Sequence, residues 1–151
     1  MTDRSGSLEE RLQRMEDLAE IHRLFYDYGH HLDAGDLDSY AALFATDGEV
    51  MLGPMGRARG RAEIRAMMEG ATSASVGASY HVISAPRVEL DGDTATSEVM
   101  WTVVQRGADG KPSVSMTGRH KDQLVREDGK WRFRVRRGFV DIPSALPPPG
   151  S

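Results

Sequence analysis

The hydrophobic period of this chain changes once, near its middle, and that change limits the folds open to it. From Leu8 the apolar positions recur at Leu8, Leu12, Met15, Leu18, Ile21, Phe25, Tyr28 and Leu32. Steps of three and four residues trace one face of a long amphipathic helix. Ala34-Gly35 ends it, with glycine suited to a left-handed cap. Asp36 is placed to cap a shorter helix, DLDSYAALFA, whose Leu37, Tyr40, Leu43 and Phe44 form one face. Asp47-Gly48 reads as a turn, Glu49–Leu52 as a short strand and Gly53–Gly60 as a small hairpin or loop. Arg61–Met68 reads as a third helix with Ile64, Met67 and Met68 inward.

Beyond that point the pattern becomes β-like. Four long runs, Ser79–Leu90, Thr94–Arg106, Val114–Arg126 and Trp131–Val140, are separated by Asp91-Gly92, Asp109-Gly110 and Asp128-Gly129. Asp-Gly between such runs is a strong hairpin signal. Helices first and a strand meander after them predict an α+β fold, with the N-terminal helices packed on a curved, mostly antiparallel sheet. At 151 residues the chain fits one domain, 1–151, with its core over about residues 8–140. The tail 141–151 holds Pro143, Pro147, Pro148 and Pro149 and cannot be a central strand. Ile142–Leu146 is expected to fold back over a pocket mouth or a neighbouring subunit.

Composition removes several classes of function. Nineteen Lys and Arg against 23 Asp and Glu give a net charge of −4, without the basic face that nucleic-acid binding needs. With no cysteine there is no disulfide scaffold, no thiolate nucleophile and no cysteine-ligated zinc. No apolar run is long enough to span a membrane, and the first 20 residues lack the apolar core of a secretory signal. A cytoplasmic location is expected. GxSxG, P-loop and GxGxxG patterns are missing, and GPMGRARG lacks the Lys-Ser/Thr ending of a phosphate loop. Acid–base chemistry without a cofactor is what the residues leave open.

Five histidines are the candidates for it: His22, His30, His31, His81 and His120. His30 and His31 adjoin Asp33, but neighbours on a helix point about 100° apart and no further ligand set accompanies them. No metal site is expected. His22, amid polar neighbours on the long helix, reads as a surface residue. Asp33 ends the long helix, where a carboxylate opposes the helix dipole, so its presence there points to a role. His81 opens the first long strand on a face that alternation does not declare buried or exposed. His120 and Asp122 interrupt the apolar parity Val114, Met116, Gly118, Leu124, which suggests a wet cavity. In the last strand Trp131, Phe133, Val135 and Arg137 share one face, with Arg132, Arg134 and Arg136 outward. Arg137 then requires an acidic partner or a substrate anion, because an unpaired buried charge is very costly.

Taken together, YGHHLDAGDLDSYAALFATDGEV, GRAEIRAMM, YHVISAPRVELDGDTATSEVMW and GRHKDQLVREDGKWRFRVRR resemble the SnoaL-like branch of the nuclear transport factor 2-like superfamily. The resemblance covers about residues 8–140 and implies a cone-shaped α+β barrel enclosing a pocket. Within the branch the pattern is similar to scytalone dehydratase, bile-acid 7α-dehydratase and hexachlorocyclohexane dehydrochlorinase, which use a pocket Asp–His pair and no cofactor. The resemblance places the catalytic aspartate on Asp33, the histidine on His81 and an accessory group on Tyr28. A C-terminal-strand arginine of the group falls on Arg137. His120 stands where tyrosine is common and is the candidate for a second pocket histidine, with Trp101 lining an apolar pocket. The expected function is a cofactor-independent lyase acting on a hydrophobic cyclic or carbonyl small molecule. The alternatives are an isomerase or polyketide cyclase with Asp33 as base, and a non-catalytic domain binding a small molecule or another subunit. Superfamily members commonly pair through their sheets, which implies a homodimer or homotrimer.

Overall fold

A computed structural model describes residues 5–143. Its elements are α1 (Leu8–Ala34), α2 (Leu37–Ala42), β1 (Phe44–Met51), a 3-10 turn (Gly53–Met55), β2 (Arg57–Arg59) and α3 (Arg61–Thr72). Then come β3 (Ser79–Asp91), β4 (Thr94–Arg106), β5 (Pro112–Glu127) and β6 (Lys130–Ile142). The six strands form one sheet in the order β2-β1-β6-β5-β4-β3. Strands β3 to β6 are the antiparallel meander that the Asp-Gly pairs predict, and β1 returns to pair in parallel with β6. At the last hairpin Asp128 and Gly129 both have positive φ, +53° and +76°, as a tight two-residue loop between right-twisted strands requires. The sheet stays open, with β2 and β3 as separate edges, so the expected barrel is a curved α+β sheet that does not close. Helix α1 lies across it, packed on β3 and β6.

Local chemistry sets the ends of α1. The Ser7 hydroxyl accepts from the Glu10 N–H at 3.1 Å while the Glu10 carboxylate accepts from the Ser7 N–H at 2.8 Å, a reciprocal cap. Gly35, at φ +72°, closes the other end. Ile21, Leu24, Phe25, Tyr28 and Leu32 are buried against Tyr40, Phe44, Val50, Ile64, Val99, Leu124, Trp131 and Phe133. Leu8, Leu12 and Met15, expected on the same stripe, are exposed instead. Docking starts only at Asp17, whose carboxylate accepts from Trp131 Nε1 at 3.0 Å, Arg126 at 2.9 Å and Gln13 at 3.1 Å. Burial by itself raises this carboxyl's pKa, but those three donors outweigh it and hold it below the ordinary aspartate value.

Two irregularities depart from the sequence expectation. Along β6, Phe133 pairs with Leu124 but Val135 pairs with Gln123, so Arg134 is one extra residue, a β-bulge. The bulge inverts the alternation: Trp131 and Phe133 face the core before it, Arg136 after it. Arg137 is therefore exposed, and the buried arginine is Arg136. In β1 the register against β6 skips between Phe44 and Glu49. Asp47-Gly48 is thus an irregularity within a strand, not a turn, and Phe44 belongs to β1, not to the second helix. No helix among the described residues is long and apolar enough to cross a membrane. Residues 144–151, and with them most of the proposed covering segment, lie outside the described residues.

Candidate active site

The last turn of α1 carries Asp33 and the start of β3 carries His81. Helix and strand meet closely because Gly29 faces the strand: a Cβ there would lie 3.1 Å from the His81 Cβ and 3.4 Å from Ile83. His81 Nδ1 is 2.7 Å from Asp33 Oδ1, and the backbone N–H of His81 donates to Asp33 Oδ2 at 2.9 Å. An ionised carboxylate only accepts, so the ring proton belongs on Nδ1 and Nε2 keeps its lone pair. The two side chains retain 21% and 13% exposure, so the pair is within reach of solvent. Hydrogen bonds from His81 to both carboxylate oxygens account for an acid at this helix end, where the dipole alone disfavours it.

A second group lies on the inner faces of β4, β5 and β6. The Trp101 and His120 rings are 5.7 Å apart, His120 meets the Tyr28 ring edge-on at 5.2 Å, and Tyr28 lies 4.2 Å from the Arg136 guanidinium carbon. Arg136, with 0% exposure, donates through Nε and Nη2 to Asp122 at 2.8 and 3.2 Å. The Ser97 hydroxyl also donates to Asp122, at 2.9 Å. Burial, then the charges of Arg136 and His81, push the His120 imidazole well below the ordinary histidine pKa, so it is neutral near pH 7. Burial raises the Tyr28 phenol, which stays protonated, and Tyr40 donates to its oxygen at 3.3 Å.

The sequence-derived candidates therefore divide into two neighbouring sets. Asp33 and His81 form one, and Tyr28, His120 and Trp101 form the other. Arg137 joins neither. Where a wet cavity was expected beside His120 and Asp122, an ion pair and aromatic rings fill the interior. Leu52 closes over the same region: a Cβ at Gly138 would lie 2.7 Å from Leu52 and 3.6 Å from His120 Nε2. Two surface recesses, of about 420 Å³ beside Glu89, Thr96, Gln123 and Arg134 and about 230 Å³ beside Tyr80, Val104 and Pro112, are lined by neither Asp33 nor His81. His22 is half-buried against Phe25. His30 and His31 stack edge-on at 5.7 Å, and no three His, Asp or Glu side chains among the described residues converge as metal ligands would. Sequence reasoning missed Arg136, Ser97 and Tyr40. Asp122 was the available signal, since a buried acid calls for a cation on an adjacent strand.

The model of the SnoaL-like domain matches residues 13–137. The chain belongs to the SnoaL-like family. No curated protein matches this SnoaL-like sequence. A nuclear transport factor 2-like protein with a cystatin-like fold from Novosphingobium aromaticivorans is 28% identical, with a TM-score of 0.85 over 96% of this chain and 95% of that one. A Mycobacterium tuberculosis protein of unknown function is 26% identical, with a TM-score of 0.78 over 90% and 76% of the two chains. A candidate scytalone dehydratase from Novosphingobium aromaticivorans is 24% identical at a TM-score of 0.73 over 96% and 99%, a likeness of fold alone. These likenesses place the chain's helix-on-sheet frame among solved structures of the same fold.

Proposed function

We propose that this protein is a cofactor-independent lyase that removes water from a hydrophobic cyclic or carbonyl small molecule. The observation that carries the reading is the 2.7 Å contact between His81 Nδ1 and Asp33, which leaves Nε2 as a base. In a β-hydroxy carbonyl substrate, Nε2 takes the proton from the carbon next to the carbonyl. The C–H electron pair becomes part of an enolate, and Asp33 offsets the positive charge gained by the imidazole. Collapse of the enolate expels the β-hydroxyl, which takes the proton back from His81 and leaves as water. Atoms and electrons balance without a further reactant. Tyr28, whose oxygen accepts from Tyr40, keeps its own proton to donate to the developing oxyanion or the leaving hydroxyl.

Asp33 as the base of an isomerase or cyclase is the less favoured alternative, because both of its oxygens are occupied by His81. A non-catalytic binding domain draws support from the closure of Leu52 over Gly138 and His120. The distinguishing experiment incubates the protein with a panel of cyclic β-hydroxy ketones and follows loss of one water by mass spectrometry and growth of enone absorbance. Turnover by wild type and none by His81→Ala is expected. Retention of a panel member without conversion would instead establish the binding domain. The reading includes a homodimer or homotrimer, for which exposed Tyr80, Val82 and Met100 on β3 and β4 offer an apolar patch. Sedimentation equilibrium checks it, and a monomer at micromolar concentration removes it.

A further inference from the structure

Helix α1 has two apolar sides. Ile21, Leu24, Phe25, Tyr28 and Leu32 enter the core. At about 100° per residue, Leu8, Leu12, Met15, Ala19 and Tyr26 lie together on nearly the opposite side. All five are exposed, and the four large ones keep 50–78% of their surface in solvent. With His22 they stand at positions 8, 12, 15, 19, 22 and 26, steps of four and three residues in strict alternation. That is the spacing of a coiled-coil seam, about 27 Å long at about 1.5 Å per residue. Single apolar side chains on a surface are ordinary, whereas a contiguous row of them marks an interaction site. The reciprocal cap between Ser7 and Glu10 keeps the first turns helical ahead of the docking point at Asp17.

What covers the row follows from its fit to its own inverted copy. Laid antiparallel on itself, it sets Leu8 against Tyr26 of the second copy, Leu12 against His22 and Met15 against Ala19, large against small at the centre. Glu9, Glu16 and Arg23 flank it on one side, each one residue after Leu8, Met15 and His22. In that register Glu9 meets Arg23 of the second copy at both ends, and Glu16 meets its like at the centre. Arg23 is open to such a partner, with 81% exposure and Asp27 no nearer than 3.7 Å. We propose that α1 pairs antiparallel with α1 of a second copy along Leu8, Leu12, Met15, Ala19 and Tyr26. The contact is separate from the Tyr80, Val82 and Met100 patch on the sheet and does not depend on the lyase reading. It is isologous, so it closes at two copies. Five side chains a side are far fewer than the roughly 20–30 residues of a standard interface, so the pair exchanges readily.

Sedimentation velocity from about 1 μM to about 1 mM follows the association, the span in which so small an interface forms. Val82→Asp, which puts a charge into the sheet patch, is run beside wild type so that the two contacts are read apart. It is expected still to associate through α1 as concentration rises. Adding Leu12→Glu is expected to raise the dissociation constant roughly tenfold or more, with circular dichroism and melting unchanged because the position is exposed. Glu9→Arg and Arg23→Glu should each loosen the pair roughly threefold, and the two together should recover it. Glu16→Gln should tighten the pair by removing the like charge at its centre. In a parallel pair the same variant would loosen it, because Glu16 would there face Arg11. A monomeric Val82→Asp at the highest concentration, unchanged association in Leu12→Glu, no recovery in the double charge reversal, or loosening by Glu16→Gln overturns the proposal. A monomer that binds anionic vesicles through Leu12 overturns it too, and makes the row a membrane face.

Discussion

Replacing His120 by phenylalanine should make the fold more resistant to acid. In the native protein His120 is 4% exposed, faces the Arg136 cation with the His81 ring nearby, and has no hydrogen-bond partner at Nδ1. Asp122, the nearest acid along β5, is taken up by Arg136 and Ser97. The imidazole's native pKa is thus far below its unfolded value, for which about 6.5 is usual. Below pH 6.5 the unfolded chain binds a proton that the native state refuses, so stability is complete above that pH and falls as the pH drops toward the native value. The slope for one proton is at most about 1.4 kcal/mol per pH unit, which bounds the effect between pH 6.5 and 4.5 at about 2.7 kcal/mol. For a domain of this size that bound corresponds to no more than roughly 5–11 °C in melting temperature. Urea unfolding of both proteins at half-unit steps from pH 7.5 to 4.5 tests it, since other titrating groups cancel in the difference. The phenylalanine variant should gain stability relative to wild type as the pH falls across that range, up to that bound. Parallel curves would show that His120 is protonated in the native state and sink the reasoning.

Asp33→Asn keeps the backbone contact to His81 but removes the charge and permits the wrong ring tautomer; turnover should fall by about 10³–10⁴ with folding nearly intact. Equal activity removes the pair from the mechanism. His81→Ala should abolish turnover, whereas His120→Tyr should retain part of it; the reverse order in steady-state assays moves proton transfer to β5. Asp122→Ala strands a buried guanidinium and should cost about 3–5 kcal/mol in urea unfolding, most of it recovered in the Asp122→Ala/Arg136→Met double variant. Additive losses in that double variant would mean that the two side chains do not act as a pair.

How far the sequence discloses this fold depends on whether a feature is local. The three Asp-Gly pairs and the four long runs between them are local, and β3 to β6 follow from them to within a few residues. Asp33 and His81 are marked out by unusual local positions, a carboxylate at a helix end and a titratable ring at a strand start. Which arginine enters the interior is not legible locally, because its environment is fixed by a neighbouring strand. Counting back from the Asp128-Gly129 hairpin places Asp122 opposite Val135; only the extra residue at Arg134 puts Arg136 there. The exposed start of α1 has a similar origin, since periodicity marks a helical face but not where the sheet beneath it ends. Asp47-Gly48 carries ordinary turn chemistry, and its parallel pairing with β6 absorbs it as a skip in register.

The bulge at Arg134 works as a frame marker for the second half of β6. Arginine occupies positions 132, 134, 136 and 137, so the strand offers one on either parity and composition does not say which enters the interior. One residue upstream settles it. Deleting Arg134 would restore simple alternation and leave Arg136 inward opposite Asp122, with Val135 and Arg137 on the other face, without touching any residue of the site. A relative that differs only by a one-residue gap there would keep the guanidinium in its core, with that arginine one position closer to the hairpin. Comparisons within the SnoaL-like family along this strand therefore have to be anchored on pairing with β5, where Asp122 identifies its partner, and not on counting from the hairpin.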